Sequence, residues 1–133
     1  MTKQTIVLDH MNQRNLLYKI VMAVQFLHER KIVHRDLKPG NIVVFSSNLF
    51  TLKLIDLGSA CRQGEEAPIE YTLRYAAPEV VSLHLKKVPL IKAHPTSDMW
   101  SLGLIFWEVL VGEPLFGQNY TEEEVGWLFE RGS

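Results

Sequence analysis

The stretch from Met99 to Leu110 restricts the possible folds of this chain more than any other. Met99, Trp100, Leu102, Leu104, Ile105, Phe106, Trp107, Val109 and Leu110 surround most of the axis when the segment is wound as a helix. A helix apolar on nearly all faces needs neighbours on nearly all sides, so it predicts the axis of a larger core. The predicted helix covers about Asp98 to Val111, with Thr96 and Ser97 as its capping residues and Gly112 and Pro114 as its stop. Glu108 interrupts the apolar run, which is far shorter than the roughly 20 residues that span a bilayer. Only one other long helix precedes it, about Asn12 to Arg30, where Leu16, Leu17, Ile20, Val21, Val24 and Leu27 form one stripe. Two helices cannot cover each other so completely, and the sequence reads as part of a domain.

The remaining elements are shorter. Ile42-Val43-Val44-Phe45 and Leu52-Lys53-Leu54-Ile55 predict two strands of a hairpin joined by a longer loop around Ser46 to Asn48. Gly58 to Pro95 reads as mostly loop, with Pro68, Pro78, Pro89 and Pro95 spread through it. Thr121 and Glu124 have capping-box spacing and predict a third helix running almost to the chain end. The fold class expected is mainly α with a small β-hairpin.

Charge and cysteine content narrow the partners. Lys plus Arg number 14 against 15 Asp plus Glu, a net charge of −1 over 133 residues, which excludes a generally basic nucleic-acid binder. The single cysteine, Cys61, cannot form an internal disulfide and suits a reducing compartment. Met1 to Asp9 lack the pattern of a secretory signal. The expectation is an intracellular, cytoplasmic protein with neither nucleic acid nor membrane among its partners.

Chemistry concentrates in His34-Arg35-Asp36-Leu37-Lys38-Pro39-Gly40-Asn41, a polar loop between a helix and a strand. Asp36 is suited to accept a proton from a hydroxyl, Lys38 to neutralise charge on a transferring phosphoryl group, and Asn41 to offer a neutral oxygen to a hard cation. Asp56 ends the second strand, and a hairpin brings it to the same end as Asn41. Taken one at a time, the same residues also fit a polar turn with a surface salt bridge.

Together they resemble the eukaryotic protein kinases. The first segment is similar to the family's His-Arg-Asp-Leu-Lys-x-x-Asn catalytic loop, and Asp56-Leu57-Gly58 to its Asp-Phe-Gly. Ala77-Pro78-Glu79 matches the close of the activation segment, and Asp98-Met99-Trp100-Ser101-Leu102-Gly103 resembles the start of the central helix. The resemblance implies a protein-kinase-like α+β fold, of which residues 1–133 are a portion of the C-terminal lobe without the N-terminal lobe and the final helices. It implies a serine/threonine kinase that transfers the γ-phosphoryl of ATP to protein substrates, with ATP and Mg²⁺ as cofactors. Asp36 would be the catalytic base and Lys38 the residue steadying the γ-phosphate, while Asn41 and Asp56 would hold Mg²⁺. Val43 would floor the adenine pocket, although a lone valine also reads as core. Lys38 with Thr72 is the serine/threonine-type pattern, and Asp98 would anchor His34 and Arg35 through their backbone.

Several positions depart from the family. Leu57 stands for phenylalanine at a position expected to pack. Gly40 replaces a frequent glutamate. Glu108 reads either as an acid for a basic substrate or as a solvent-edge residue. Val80 to Ser97 is longer than the family leads one to expect, and its Lys86, Lys87 and Lys92 suit a solvated loop. Neither G-x-G-x-x-G nor Val-Ala-x-Lys occurs in these 133 residues, nor the arginine that pairs with Glu79 in the family. A non-catalytic kinase fragment or scaffold acting by protein binding is the alternative reading. A small-molecule phosphotransferase fits less well, because such enzymes lack a segment like Thr72 to Glu79.

Overall fold

The structure, a computed structural model, describes residues 10–45, 51–117 and 121–124. Helix α1 (His10–Glu29) leads into β1 (Ile32–Val33), and the polar loop then closes with a 3₁₀ turn at Pro39–Asn41. Strands β2 (Ile42–Phe45) and β3 (Thr51–Leu54) follow as the expected hairpin, in register Ile42 opposite Leu54. Next come a 3₁₀ turn at Leu57–Ser59, β4 (Cys61–Arg62) and β5 (Glu66–Pro68). A third 3₁₀ turn at Leu73–Tyr75 precedes α2 (Pro78–Leu85), β6 (Leu90–Lys92) and α3 (Pro95–Val111). Each sheet has two antiparallel strands: β1 with β4, β2 with β3, β5 with β6.

The core lies where α1 crosses α3. Ile20 and Val24 meet Leu102 and Ile105, with Leu37 of the polar loop sealing one end. Ile42, Leu52 and Leu54 of the hairpin pack on the same cluster. Burying a side chain of this size stabilises by about 1.5–3 kcal/mol, so this one cluster fixes both helices and the loop between them. The α1 stripe behaves as its spacing implies, with Ile20, Val24 and Leu27 buried.

Two expectations change. The 58–95 stretch, read as mostly loop, also holds β4, β5, α2 and β6. Its strands are two or three residues long and pair with remote partners, which leaves no local periodicity to read. Helix α3 starts at Pro95, and its cap is His94, whose Nδ1 accepts from the Thr96 amide at 3.2 Å. Proline needs no acceptor at the first helical position, so the helix begins one turn earlier than Asp98. As expected of part of a domain, α3 is not enclosed among the described residues: Met99, Trp107, Leu110 and Val111 are exposed. Thr121 and Glu124 do form the capping box, Glu124 N donating to Thr121 Oγ1 at 3.2 Å and Thr121 N to Glu124 Oε1 at 3.3 Å. The rest of that expected helix lies outside the described residues, as do Ser46 to Asn48.

Candidate active site

The loop from His34 to Asn41 is held from below by one carboxylate. Asp98, in the first turn of α3, is 1% exposed. Its Oδ2 accepts the His34 amide at 2.8 Å and His28 Nε2 at 2.8 Å, and its Oδ1 accepts the Arg35 amide at 2.9 Å. A buried carboxylate is stable only where donors replace water, and Asp98 collects three. The His28 contact joins the end of α1 to the same point. Only the register of the folded helices reveals it, since a histidine in a last helical turn is commonplace.

His34 is fully buried and its ring braces the loop. Nδ1 accepts the Asp36 amide at 3.1 Å, which places the ring proton on Nε2, and Nε2 donates to the Ile55 carbonyl at 3.2 Å. Arg35 has φ 75°, a left-handed backbone, and this sends its side chain away from the buried ring. The guanidinium donates to the carbonyls of Pro68 and, at 3.4 Å, Ser59, with Cys61 Sγ at 3.8 Å. By charge alone, Glu65, Glu66 and Glu70 on the same segment are candidate partners for this cation. Backbone carbonyls fill that place, and Glu70 instead accepts from Ser59 Oγ at 2.8 Å.

Asp36, Lys38 and Thr72 converge on one point. Thr72 Oγ1 donates to Asp36 Oδ1 at 2.8 Å and accepts from Lys38 Nζ at 2.9 Å, with Lys38 Nζ 3.5 Å from Asp36 Oδ2. An alcohol oxygen therefore already sits between a carboxylate and an ammonium. That is the geometry in which a base takes a hydroxyl proton while a cation offsets nearby negative charge.

Asn41 is buried, and its Nδ2 donates to the Asp36 carbonyl at 2.7 Å. The donor half of the carboxamide is committed to the loop, so the oxygen is the half that can meet a cation. The Ile55 amide donates to the Asn41 carbonyl at 2.8 Å, extending the hairpin pairing and bringing Asp56 to this end as expected. Asp56 is exposed and left-handed at φ 57°. A Cβ on Gly58 would stand 3.3 Å from Asp56 Oδ1, so glycine leaves that carboxylate room.

The other residues singled out fall nearby with different environments. Val43 is half-buried in β2 opposite Lys53. Leu57 is 51% exposed, so it does not pack among the described residues. The left-handed Asp56 turns the chain outward just before it. Ala77 and Pro78 are buried at the start of α2 and Glu79 is half-buried. Glu108 is not a solvent-edge residue. It is buried and accepts the Tyr75 hydroxyl at 2.5 Å. Ser101 Oγ donates to the Tyr75 carbonyl at 2.5 Å, so α3 grips the 72–75 segment twice. Burial first, then the hydrogen bond to Glu108, raise the Tyr75 pKa far above the ordinary tyrosine value.

The loop, the hairpin end that carries Asn41 and Asp56, and the helix that anchors them through Asp98 form one site on an α+β frame. A profile described as protein kinase domain matches residues 1–129. Cyclin-dependent kinase 4 of Ovis aries is 34% identical over 97% of this chain and 47% of its own length. The Mus musculus protein of the same name is 38% identical over 88% of this chain and 37% of its own. Human dual specificity tyrosine-phosphorylation-regulated kinase 4 is 37% identical over 83% of this chain and 20% of its own. The chain belongs to the eukaryotic protein kinase family and spans less than half the length of these curated relatives.

Proposed function

We propose that this chain is the catalytic portion of the C-terminal lobe of a serine/threonine protein kinase, which transfers the γ-phosphoryl of ATP to hydroxyls of protein substrates. The observation that carries the reading is Thr72 Oγ1 seated between Asp36 Oδ1 and Lys38 Nζ, at 2.8 and 2.9 Å. In this reading a substrate hydroxyl takes a like position and gives its proton to Asp36, while Lys38 offsets charge on the phosphoryl group. His34, Arg35 and Asp98 hold the loop in place and do not touch the reacting atoms. Val43 is assigned to the floor of the adenine site.

The donor set suits Mg²⁺. Asn41 offers an amide oxygen and Asp56 a carboxylate, both hard ligands, and Mg²⁺ favours one or two such groups with phosphates and waters completing the shell. Among the described residues no cluster of three or more His, Cys, Asp or Glu forms a cage of its own. Bound there, Mg²⁺ would neutralise charge on the phosphates of ATP. Residues 1–133 carry neither a Gly-rich loop nor the strand lysine, so the activity is assigned to a domain that supplies them and not to this segment alone. No described helix is long and apolar enough to cross a membrane. A second reading, a non-catalytic protein-binding lobe, draws on the exposed apolar residues of α1 and α3.

Two substitutions in a complete domain containing this segment separate the roles. Asp36→Asn is expected to cut turnover by about 10²-fold or more with Mg-ATP affinity nearly unchanged, because it acts on the nucleophile. Asp56→Asn is expected to abolish transfer and weaken Mg-ATP binding. Equal loss of nucleotide affinity in both would contradict the assignment.

A further inference from the structure

The segment between β4 and α2 is tied down by an element the motifs do not account for. Strand β6, within the long stretch after Glu79, pairs antiparallel with β5, with Glu66 opposite Lys92, Ala67 opposite Ile91 and Pro68 opposite Leu90. The ladder continues past the strands, Ala93 N donating to Glu65 O at 2.9 Å and Gly64 N to Ala93 O at 2.8 Å. Gly64 has φ 85°, a conformation that lets the chain turn from β4 into this ladder. At its far end Pro68 offers its carbonyl to Arg35, beside the catalytic loop.

The four hydroxyls between Asp56 and Glu79 are each hydrogen-bonded or buried. Ser59 donates to Glu70, Thr72 to Asp36 and Tyr75 to Glu108, and the Tyr71 hydroxyl is buried beside Glu122 without a well-formed hydrogen bond to it. A phosphate on any of them would break an existing contact or need burial.

We propose that β6 is a built-in clasp that orders residues 64–72 and so positions Thr72 against Asp36 without an added phosphate. The inference rests on the kinase reading for its consequence, but the clasp itself is a structural claim with its own readout. Direct cross-strand charge pairs favour a register, and like charges facing each other oppose it. Reversing Lys92 alone therefore loosens the ladder, and reversing both partners restores it.

Hydrogen exchange of the full chain, treated with phosphatase, tests the clasp. The amides of Gly64 and Ala67, which face β6 in this register, are expected to remain protected after phosphatase treatment. Ile91→Pro, which removes a strand amide, is expected to abolish that protection while the α1 amides stay protected. Lys92→Glu is expected to speed exchange at Gly64 and Ala67 by about twofold to fivefold, and Glu66→Lys with Lys92→Glu to return it to the original rate. Unprotected Gly64 and Ala67 amides in the unsubstituted chain would overturn the clasp, as would protection lost on phosphatase treatment or no restoration in the double reversal. Failure of phosphate transfer with the ladder intact would overturn the kinase reading and leave the clasp standing.

Discussion

At the residue scale, Asp98 and the Tyr75–Glu108 pair carry the most consequence. Asp98 satisfies the His34 and Arg35 amides, and each buried N–H left without an acceptor costs about 1–3 kcal/mol. Asp98→Ala is therefore expected to lower unfolding free energy by about 3 kcal/mol or more in urea titration; a loss below about 1 kcal/mol would show that water replaces the carboxylate. Tyr75 gives a pH signature. Its folded pKa lies above the unfolded value of 10.0, so the native state keeps a proton that the unfolded state releases. The associated stability is fully present below about pH 10 and is lost as pH rises through the folded value. Tyr75→Phe is expected to be less stable near neutrality yet to lose less stability above pH 10 than the unsubstituted protein. Parallel pH profiles would contradict this. Of the candidate site, Asp36, Lys38, Asn41, Asp56 and Asp98 were legible because they fall in motifs that resemble those of a known family. His28, Tyr75 and Glu108 were not, because their partners are set by how α1 and α3 cross.

At the element scale, periodicity revealed α1, and apolar runs revealed α3 and the β2–β3 hairpin. Strands β4, β5 and β6 are too short to carry a period, and α2, eight residues long, begins at a proline read as loop punctuation. Proline at that position supports the start of a helix and does not break it. Glycine likewise has opposite meanings at two positions of one helix. Gly112 ends α3 with φ 94° and its amide donates to Glu108 O at 2.8 Å. Gly103 lies mid-helix and exposed, with nothing within 4 Å of where a Cβ would stand. Gly112→Ala is expected to destabilise by about 1–2 kcal/mol, since a left-handed backbone strains any Cβ. Gly103→Ala is expected to stabilise by about 0.5–1 kcal/mol through helix propensity. Thermal unfolding of the two variants checks the pair, and shifts of the same sign would contradict it.

At the scale of the whole molecule, the described residues form a core on one side of the α1–α3 crossing and leave apolar surface on the other. A groove of about 480 Å³ runs between Leu17, Val21, Phe106 and Leu110, and Trp107 stands exposed beside it. A continuous apolar surface of this kind belongs against further protein. It agrees with the matched relatives, which are more than twice the length of this chain. Asp36, Lys38, Asn41 and Asp56 are proposed above as the phosphoryl-transfer site of a kinase acting on aliphatic hydroxyls. The most direct test is transfer from γ-labelled ATP by a complete domain containing this segment, followed by phosphoamino-acid analysis of the protein product. Labelled phosphoserine and phosphothreonine are expected, both lost with Asp36→Asn. Label confined to phosphotyrosine, or transfer unchanged in Asp36→Asn, would contradict the account.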